Sequence, residues 1–83
     1  MDSLQLLAEA IGVARQLGFE IREEMLGEGR GGVCRIKGRK ILFIDSQLAP
    51  RDRLIQVLAA LRTDPATKQL DLRPALRHLI DAA

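Results

Sequence analysis

Aromatic residues are nearly absent from this chain, whose 83 residues include two phenylalanines and neither tryptophan nor tyrosine. Proteins that hold single-stranded nucleic acid usually stack the bases on aromatic rings. The composition therefore disfavours that class of protein. The apolar 47% of the chain is mostly leucine, isoleucine, valine and alanine, which predicts an aliphatic core.

Cysteine and histidine are equally scarce, with Cys34 and His78 the single example of each. One cysteine cannot form an internal disulfide, and a structural zinc site needs about four ligands. The helix expected over about residues 50–62 lacks the HExxH pattern of zinc proteases. Glu23 and Glu24 are adjacent, so they would point to opposite faces of a strand. We therefore expect a reducing compartment, no metal and no cofactor, and we favour a non-catalytic protein.

No apolar run approaches the roughly 20 residues that a membrane-spanning helix needs. The chain begins Met1-Asp2-Ser3-Leu4, without the cationic start of a signal peptide. These features predict a cytoplasmic protein with no membrane partner. A chain of this length holds one hydrophobic core, so we expect a single domain over residues 1–83.

The order of the predicted elements indicates an α+β fold. Apolar spacing predicts a first helix that is capped by Ser3, runs to about Leu17 and is ended by Gly18, and Pro50 and Pro74 suit the first turns of two later helices. Between them, alternation predicts a strand over residues 19–26 and a hairpin after it. We expect an N-terminal helix, a three-stranded antiparallel meander and two C-terminal helices, over about residues 50–62 and from residue 74, with residues 66–72 as a loop.

Gly38-Arg39 predicts a two-residue hairpin turn, because glycine adopts positive φ without a clash. This turn pairs Lys37 with Lys40 and sets Cys34 opposite Phe43 on an apolar face. We therefore expect Cys34 to be a core residue rather than a nucleophile. The opposite face of the hairpin carries Val33, Arg35, Leu42 and Ile44.

A glycine loop precedes the hairpin, and residues 27–32 match the pattern GxGxxG. In dinucleotide-binding folds that pattern opens a helix, whereas here a strand follows, so the nucleotide fold is not indicated. Two interpretations stay open. The favoured one is a flexible turn that lets another element approach closely. The other is a small-anion or nucleotide phosphate site formed by loop N–H groups and arginines, with the candidate residues Gly29, Arg30, Gly31, Gly32 and Arg35.

Five cations and no anion lie between residues 30 and 40, so the hairpin is a candidate nucleic-acid contact. The candidate residues there are Lys37, Arg39 and Lys40. A net charge of only +2 argues against nucleic acid as the main partner. The alternative is that these charges keep an exposed strand from pairing with other edges.

Self-association has the strongest support in the sequence. The strand over residues 41–44 is apolar on both faces, so Leu42 and Ile44 need cover. A second copy of the chain would supply that cover, which makes these two residues interface candidates and predicts a homodimer. The alternative is that the last two helices cover the strand within one chain.

The segment Gly-Arg-Gly-Gly-Val-Cys-Arg-Ile-Lys-Gly, residues 29–38, is followed by Leu-Phe-Ile-Asp at residues 42–45, by Pro50 and by a leucine-rich helix. This arrangement resembles a family of small uncharacterised bacterial proteins with a GRGGxCRxKG-type loop and hairpin. The resemblance extends from the first helix to Pro74 and implies a bacterial cytosolic protein with no known activity. The layout is also similar to the zinc-protease domains found beside phage-type repressors. Without their metal-binding helix motif, this chain would be a non-catalytic relative of them.

Overall fold

The computed structural model describes residues 2–28 and 30–82. Its α-helices and strands follow the predicted order, with a short 3₁₀ helix in the segment expected to be a loop. In chain order the elements are α1 (Ser3–Gln16), β1 (Glu20–Glu24), β2 (Gly32–Ile36), β3 (Arg39–Asp45), α2 (Pro50–Arg62), the 3₁₀ helix (Pro65–Gln69) and α3 (Pro74–Asp81).

The helix ends follow from local chemistry. Asp2 caps α1, because its carboxylate accepts the N–H of Gln5 at 2.8 Å. Proline opens both α2 and α3, where the missing N–H costs no helical hydrogen bond. Asp64 accepts the N–H of Ala66 at 3.0 Å and so begins the 3₁₀ helix. The predicted bounds of α2 and the predicted start of α3 are confirmed.

The sheet is mixed, so the predicted antiparallel meander is wrong. Within the described residues it has the strand order β1-β3-β2, with β1 parallel to β3 and β2 antiparallel to it. The strand that is apolar on both faces thus lies in the middle, where both of its edges are paired with neighbouring strands. The connection from β1 to β2 has to cross the C-terminal end of β3 to reach the other edge.

The hairpin turn lies one residue earlier than predicted, at Lys37-Gly38. Both residues have positive φ, 51° and 80°, as in the turn whose twist matches that of paired strands. The register therefore sets Cys34 opposite Ile41, not opposite Phe43. This shift changes each cross-strand pair. Residues that were predicted to share a face of the hairpin still share it, because the partner of each residue moves by two positions.

Both long helices lie against one face of the sheet and form the core with it. Leu42 and Ile44 are fully buried there, so neither is available to a second copy of the chain. The cover that the sequence required comes from within the chain: α2, the first of the two C-terminal helices, packs on β2 and β3, and α1 packs on β1, whereas α3 packs on the other helices. The remaining core residues are aliphatic apart from Phe19; the largest contributors from the helices are Leu7, Val13, Leu54, Val57, Leu58, Leu61, Leu76 and Ile80.

The other face of the sheet has no helix over it among the described residues, and we call it the open face. Side chains alternate along a strand, so residues on the opposite side from Leu42 and Ile44 lie there. Cys34 is one of them and is exposed, so its predicted place in the core is wrong. In the described part of the chain, no helix has both the length and the apolar character to cross a membrane.

Candidate functional site

The glycine-rich connection from β1 to β2, described at residues 25–28 and 30–31, crosses the end of β3, and we call these residues the crossing loop. It is held by Asp45, which is only 1% exposed. The Asp45 Oδ1 atom accepts the N–H of Leu26 at 3.3 Å and the N–H of Gln47 at 3.0 Å. Ser46 donates its N–H to the Glu24 carbonyl at 2.9 Å, which joins the end of β1 to the residue after β3. In this part of the loop, the group that accepts the loop N–H is therefore a carboxylate of the protein itself.

The side chain of Gln56 joins the crossing loop to α2. Its Oε1 atom accepts the Asp45 N–H at 3.0 Å, and its Nε2 atom donates to the Arg30 carbonyl at 3.2 Å. Gly31 lies directly against this amide. A Cβ atom on Gly31 would stand 2.5 Å from Gln56 Nε2 and 2.7 Å from the Phe43 carbonyl oxygen. The predicted role of the glycines as permitting close approach is thus the one that the geometry favours at Gly31.

The predicted anion-binding residues are spread over the surface rather than gathered in one pocket. Arg30 is exposed and has its guanidinium 3.7 Å from the Glu28 carboxylate. Gly32 pairs with Phe43 inside the sheet, and Arg35 lies on β2. Gly29 lies outside the described residues. The arrangement of the described residues gives no convergent set of donors for a phosphate group.

The predicted nucleic-acid residues are also divided. Lys40 is turned towards the protein, where its Nζ atom donates to the Leu17 carbonyl at 2.6 Å and to Asp64 Oδ2 at 2.8 Å. The same atom lies 4.4 Å from the centroid of the Phe19 ring. Arg39 forms an ion pair with Glu20. Lys37 alone of the three stays at the exposed turn without an ion pair to any described residue.

The ion pair between Lys40 and Asp64 makes stability depend on acid. The hydrogen bond from Lys40, followed by that from the Ala66 N–H, holds the pKa of Asp64 below its ordinary value of 3.8. The stabilisation is therefore fully present above about pH 3.8 and is lost as the pH falls through the lower pKa of the folded state. We expect the urea concentration at the unfolding midpoint to decrease when the pH is lowered from 7 into this acid range. The decrease should be smaller for Asp64→Asn than for the wild-type protein.

The exposed Asp81 at the end of α3 provides the control, and Asp81→Asn should keep the wild-type dependence on pH. If Asp64→Asn and the wild-type protein lose the same stability on acidification, the ion pair does not carry this effect.

The open face combines apolar and charged side chains in separate zones. On the β2 and β3 side lies what we call the open-face patch, formed by Cys34, Ile36, Ile41 and Phe43; Ile36 is 43% exposed, whereas Ile41 is buried between its neighbours on both strands. On β1, Arg22 lies between two carboxylates, 2.9 Å from Glu24 and 3.5 Å from Glu20.

Arg22 also lies 6.0 Å from the centroid of the Phe43 ring and so joins the two zones. The sequence contained the alternation that defines this patch, but its faces were assigned the wrong way round. Nothing in the hairpin alone shows which face the helices cover.

No protein-family model, curated protein or solved structure matches this chain. Within residues 2–28 and 30–82, no group of three histidine, cysteine or acidic side chains is placed to hold a metal ion. The geometry of the open face and of the strand edges is therefore the basis for any functional conclusion.

Proposed function

We propose that this chain is a non-catalytic interaction module that forms a homodimer through the open-face patch. The observation that carries this proposal is the one-sided cover of the sheet. Helices bury one face, and the described residues leave Cys34 and Ile36 exposed on the other face beside Phe43. Apolar side chains grouped on an exposed sheet face mark a site of protein contact, because their burial releases water.

A second copy of the chain suits this face because the charges beside the patch have both signs. The row Glu20, Arg22 and Glu24 alternates in sign along β1. In a twofold dimer the same surface meets itself, so a surface with both signs can satisfy its own charges. A face with charge of one sign would repel its copy and would point to a different partner.

The positions of the two reactive side-chain types support a non-catalytic role. Cys34 lies on the open face, while His78 lies on α3, which packs on α1 and α2 in the helical layer. Nucleophilic catalysis requires a nucleophile and a base within hydrogen-bonding reach of each other. The sheet separates these two side chains.

The mass of the protein in solution tests this proposal. We expect sedimentation equilibrium to give the dimer mass for the wild-type protein. Ile36→Glu and Arg22→Glu should shift the equilibrium to the monomer, the first by placing a charge in the patch and the second by leaving three neighbouring acidic residues on the open face of β1. The matched control is Ile55→Glu, because Ile55 is 54% exposed but lies on α2. A wild-type monomer at high concentration, or equal effects of all three variants, would contradict the proposal.

A further inference from the structure

We propose that the outer edge of β2 binds an extended acidic segment of a partner protein, which adds to the sheet as a fourth strand. β2 is the last strand on its side of the sheet, and four of its five residues are exposed. Strand addition of this kind takes its affinity from main-chain hydrogen bonds and its specificity from pockets for alternate side chains. The edge of β2 offers both.

The main-chain groups come from Val33 and Arg35. Because the two-residue turn Lys37-Gly38 makes Ile36 and Arg39 a hydrogen-bonded pair, the alternating pattern leaves the N–H and C=O groups of Val33 and Arg35 facing away from β3. The described residues provide no hydrogen bond to these groups. The strand contains neither a proline nor a bulge that would stop a further strand from pairing.

Two depressions lie beside this edge, one on each face of the sheet. The depression on the helical side has a volume of about 430 Å³ and is lined by Phe19, Val33, Arg35, Lys40, Thr63, Asp64 and Pro65. The depression on the other side has a volume of about 350 Å³ and is lined by Leu26, Gly31, Gly32, Val33, Cys34 and Phe43. Side chains of an added strand would enter the two depressions alternately, since successive residues point to opposite faces.

The charges at the edge select the chemistry of the added strand. Arg35 borders the helical depression, where it attracts the Asp64 carboxylate without forming an ion pair with it, and Lys37 lies at the turn, without an ion pair to any described residue. The depression on the open face is mainly apolar. The matching ligand is therefore an extended segment with carboxylates on the side facing Arg35 and small apolar residues on the other side.

A second copy of this chain fits the edge poorly. If two β2 strands paired antiparallel about Cys34, Arg35 would face Val33 of its copy. The two Arg35 side chains would then be diagonal neighbours, roughly 7–8 Å apart on one face. Like charges at that distance oppose pairing, which is how exposed edges avoid self-association. The partner at this edge is thus a different molecule from the second copy in the homodimer, although the depression on the open face shares Cys34 and Phe43 with the open-face patch.

Fluorescence anisotropy with short labelled peptides tests the inference. One peptide alternates glutamate and valine, and its control alternates lysine and valine. We expect the glutamate peptide to bind at least about tenfold more tightly than the lysine peptide, because only its charge matches Arg35. Methylation of alternate peptide nitrogens should abolish binding, since it removes the donors that pair with β2. No binding, or equal binding of the two charged peptides, would overturn the inference.

Variants of the protein locate the binding surface. Arg35→Glu should reverse the order of the two peptides, whereas Arg51→Glu on the exposed side of α2 should leave it unchanged. Val33→Pro should abolish binding, because it removes an outward N–H that β3 does not use. The Val33→Pro result tests the edge only if this variant still unfolds cooperatively on heating. If it does not, the reversal of peptide preference in Arg35→Glu is the test of the edge.

The same peptide titration with the Arg22→Glu variant distinguishes the edge site from the homodimer interface. Arg22 lies on β1, at the opposite edge of the sheet from β2. Peptide binding should persist in this variant whether or not the protein dimerises. A wild-type protein that has the dimer mass but does not bind the peptide would contradict the edge site alone. A wild-type monomer that binds the peptide would contradict the homodimer alone.

Discussion

Asp45→Ala is expected to lower the free energy of unfolding by about 2–4 kcal/mol, the largest effect of any change considered for this chain. The Asp45 carboxylate is buried and accepts the N–H groups of Leu26 and Gln47. Its removal leaves these donors without their acceptor at the point where the crossing loop passes over β3. Urea unfolding at neutral pH measures the change, which corresponds to a fall in melting temperature of roughly 10–25 °C for a chain of this size.

Asp45→Asn provides the graded comparison, because the amide keeps one acceptor oxygen but loses the charge. We expect its stability to lie between those of the wild-type protein and Asp45→Ala. Asp81→Ala, at an exposed position in the last turn of α3, should change stability by less than about 0.5 kcal/mol. An Asp45→Ala protein as stable as Asp81→Ala would show that the carboxylate does not hold the loop.

Gly31→Ala is expected to lower the free energy of unfolding by about 1–3 kcal/mol, the cost of forcing extra atoms into a packed site. The added Cβ would lie 2.7 Å from the Phe43 carbonyl oxygen, which belongs to the central strand and cannot move without disturbing the sheet. Gln56 can rotate away, but it then gives up its hydrogen bonds to Asp45 and Arg30. Thermal unfolding followed by circular dichroism measures the loss.

Gly12→Ala is the matched control for this change. Gly12 lies within α1, and a Cβ added there would meet no atom within 4 Å. Since alanine favours a helix over glycine by about 1 kcal/mol, we expect Gly12→Ala to raise stability. If the two substitutions shift stability in the same direction, the crossing loop does not depend on close packing at Gly31.

Asp45 and Gly31 both contribute to the attachment of the crossing loop to the end of β3. This attachment has a consequence for the proposed peptide site, because Leu26 and Gly31 line the depression on the open-face side of β2. A change that frees the loop should therefore weaken binding on that side of an added strand. The charged contact with Arg35, on the helical side, depends on the loop much less.

The sequence predicted the helices well because their signals are local. Proline at the start of α2 and of α3, and the pair Asp64-Pro65 after α2, define helix ends through the geometry of a few neighbouring bonds. Asp2 rather than Ser3 caps α1, and this shift by one position leaves the helix itself unchanged. The strands were also found, with errors of only a few residues at their ends.

The topology of the sheet could not be obtained from such signals. An antiparallel meander and a mixed sheet contain the same strands in the same order along the chain. What distinguishes them is where the crossing loop passes. That depends on contacts between distant positions: Asp45 with Leu26, 19 positions away, and Gln56 with Arg30, 26 positions away. One sequence signal did point to the answer: the strand that is apolar on both faces is the central one, with a strand paired along each of its edges.

In the hairpin too, some features were predicted from the sequence and others were decided only by the tertiary structure. Its alternating pattern correctly sorted Cys34 and Ile36 from Leu42 and Ile44, because a strand has only two faces. Which face would meet the helices was not contained in that pattern, and Cys34 was placed in the core as a result. The turn was shifted by one residue because Lys37 adopts a positive φ that is more usual for glycine.

By itself, the sequence determined the class of the fold, the helices and the pairing of residues into faces, since these follow from backbone geometry over short distances. Only the tertiary structure decided which face is buried, which strand is central and which cations remain exposed. Those properties depend on contacts between distant segments. The helices bury Leu42 and Ile44, Asp64 forms an ion pair with Lys40, and Asp45 accepts a hydrogen bond from the crossing loop. The surfaces left over, the open-face patch and the outer edge of β2, are the ones from which the function is proposed.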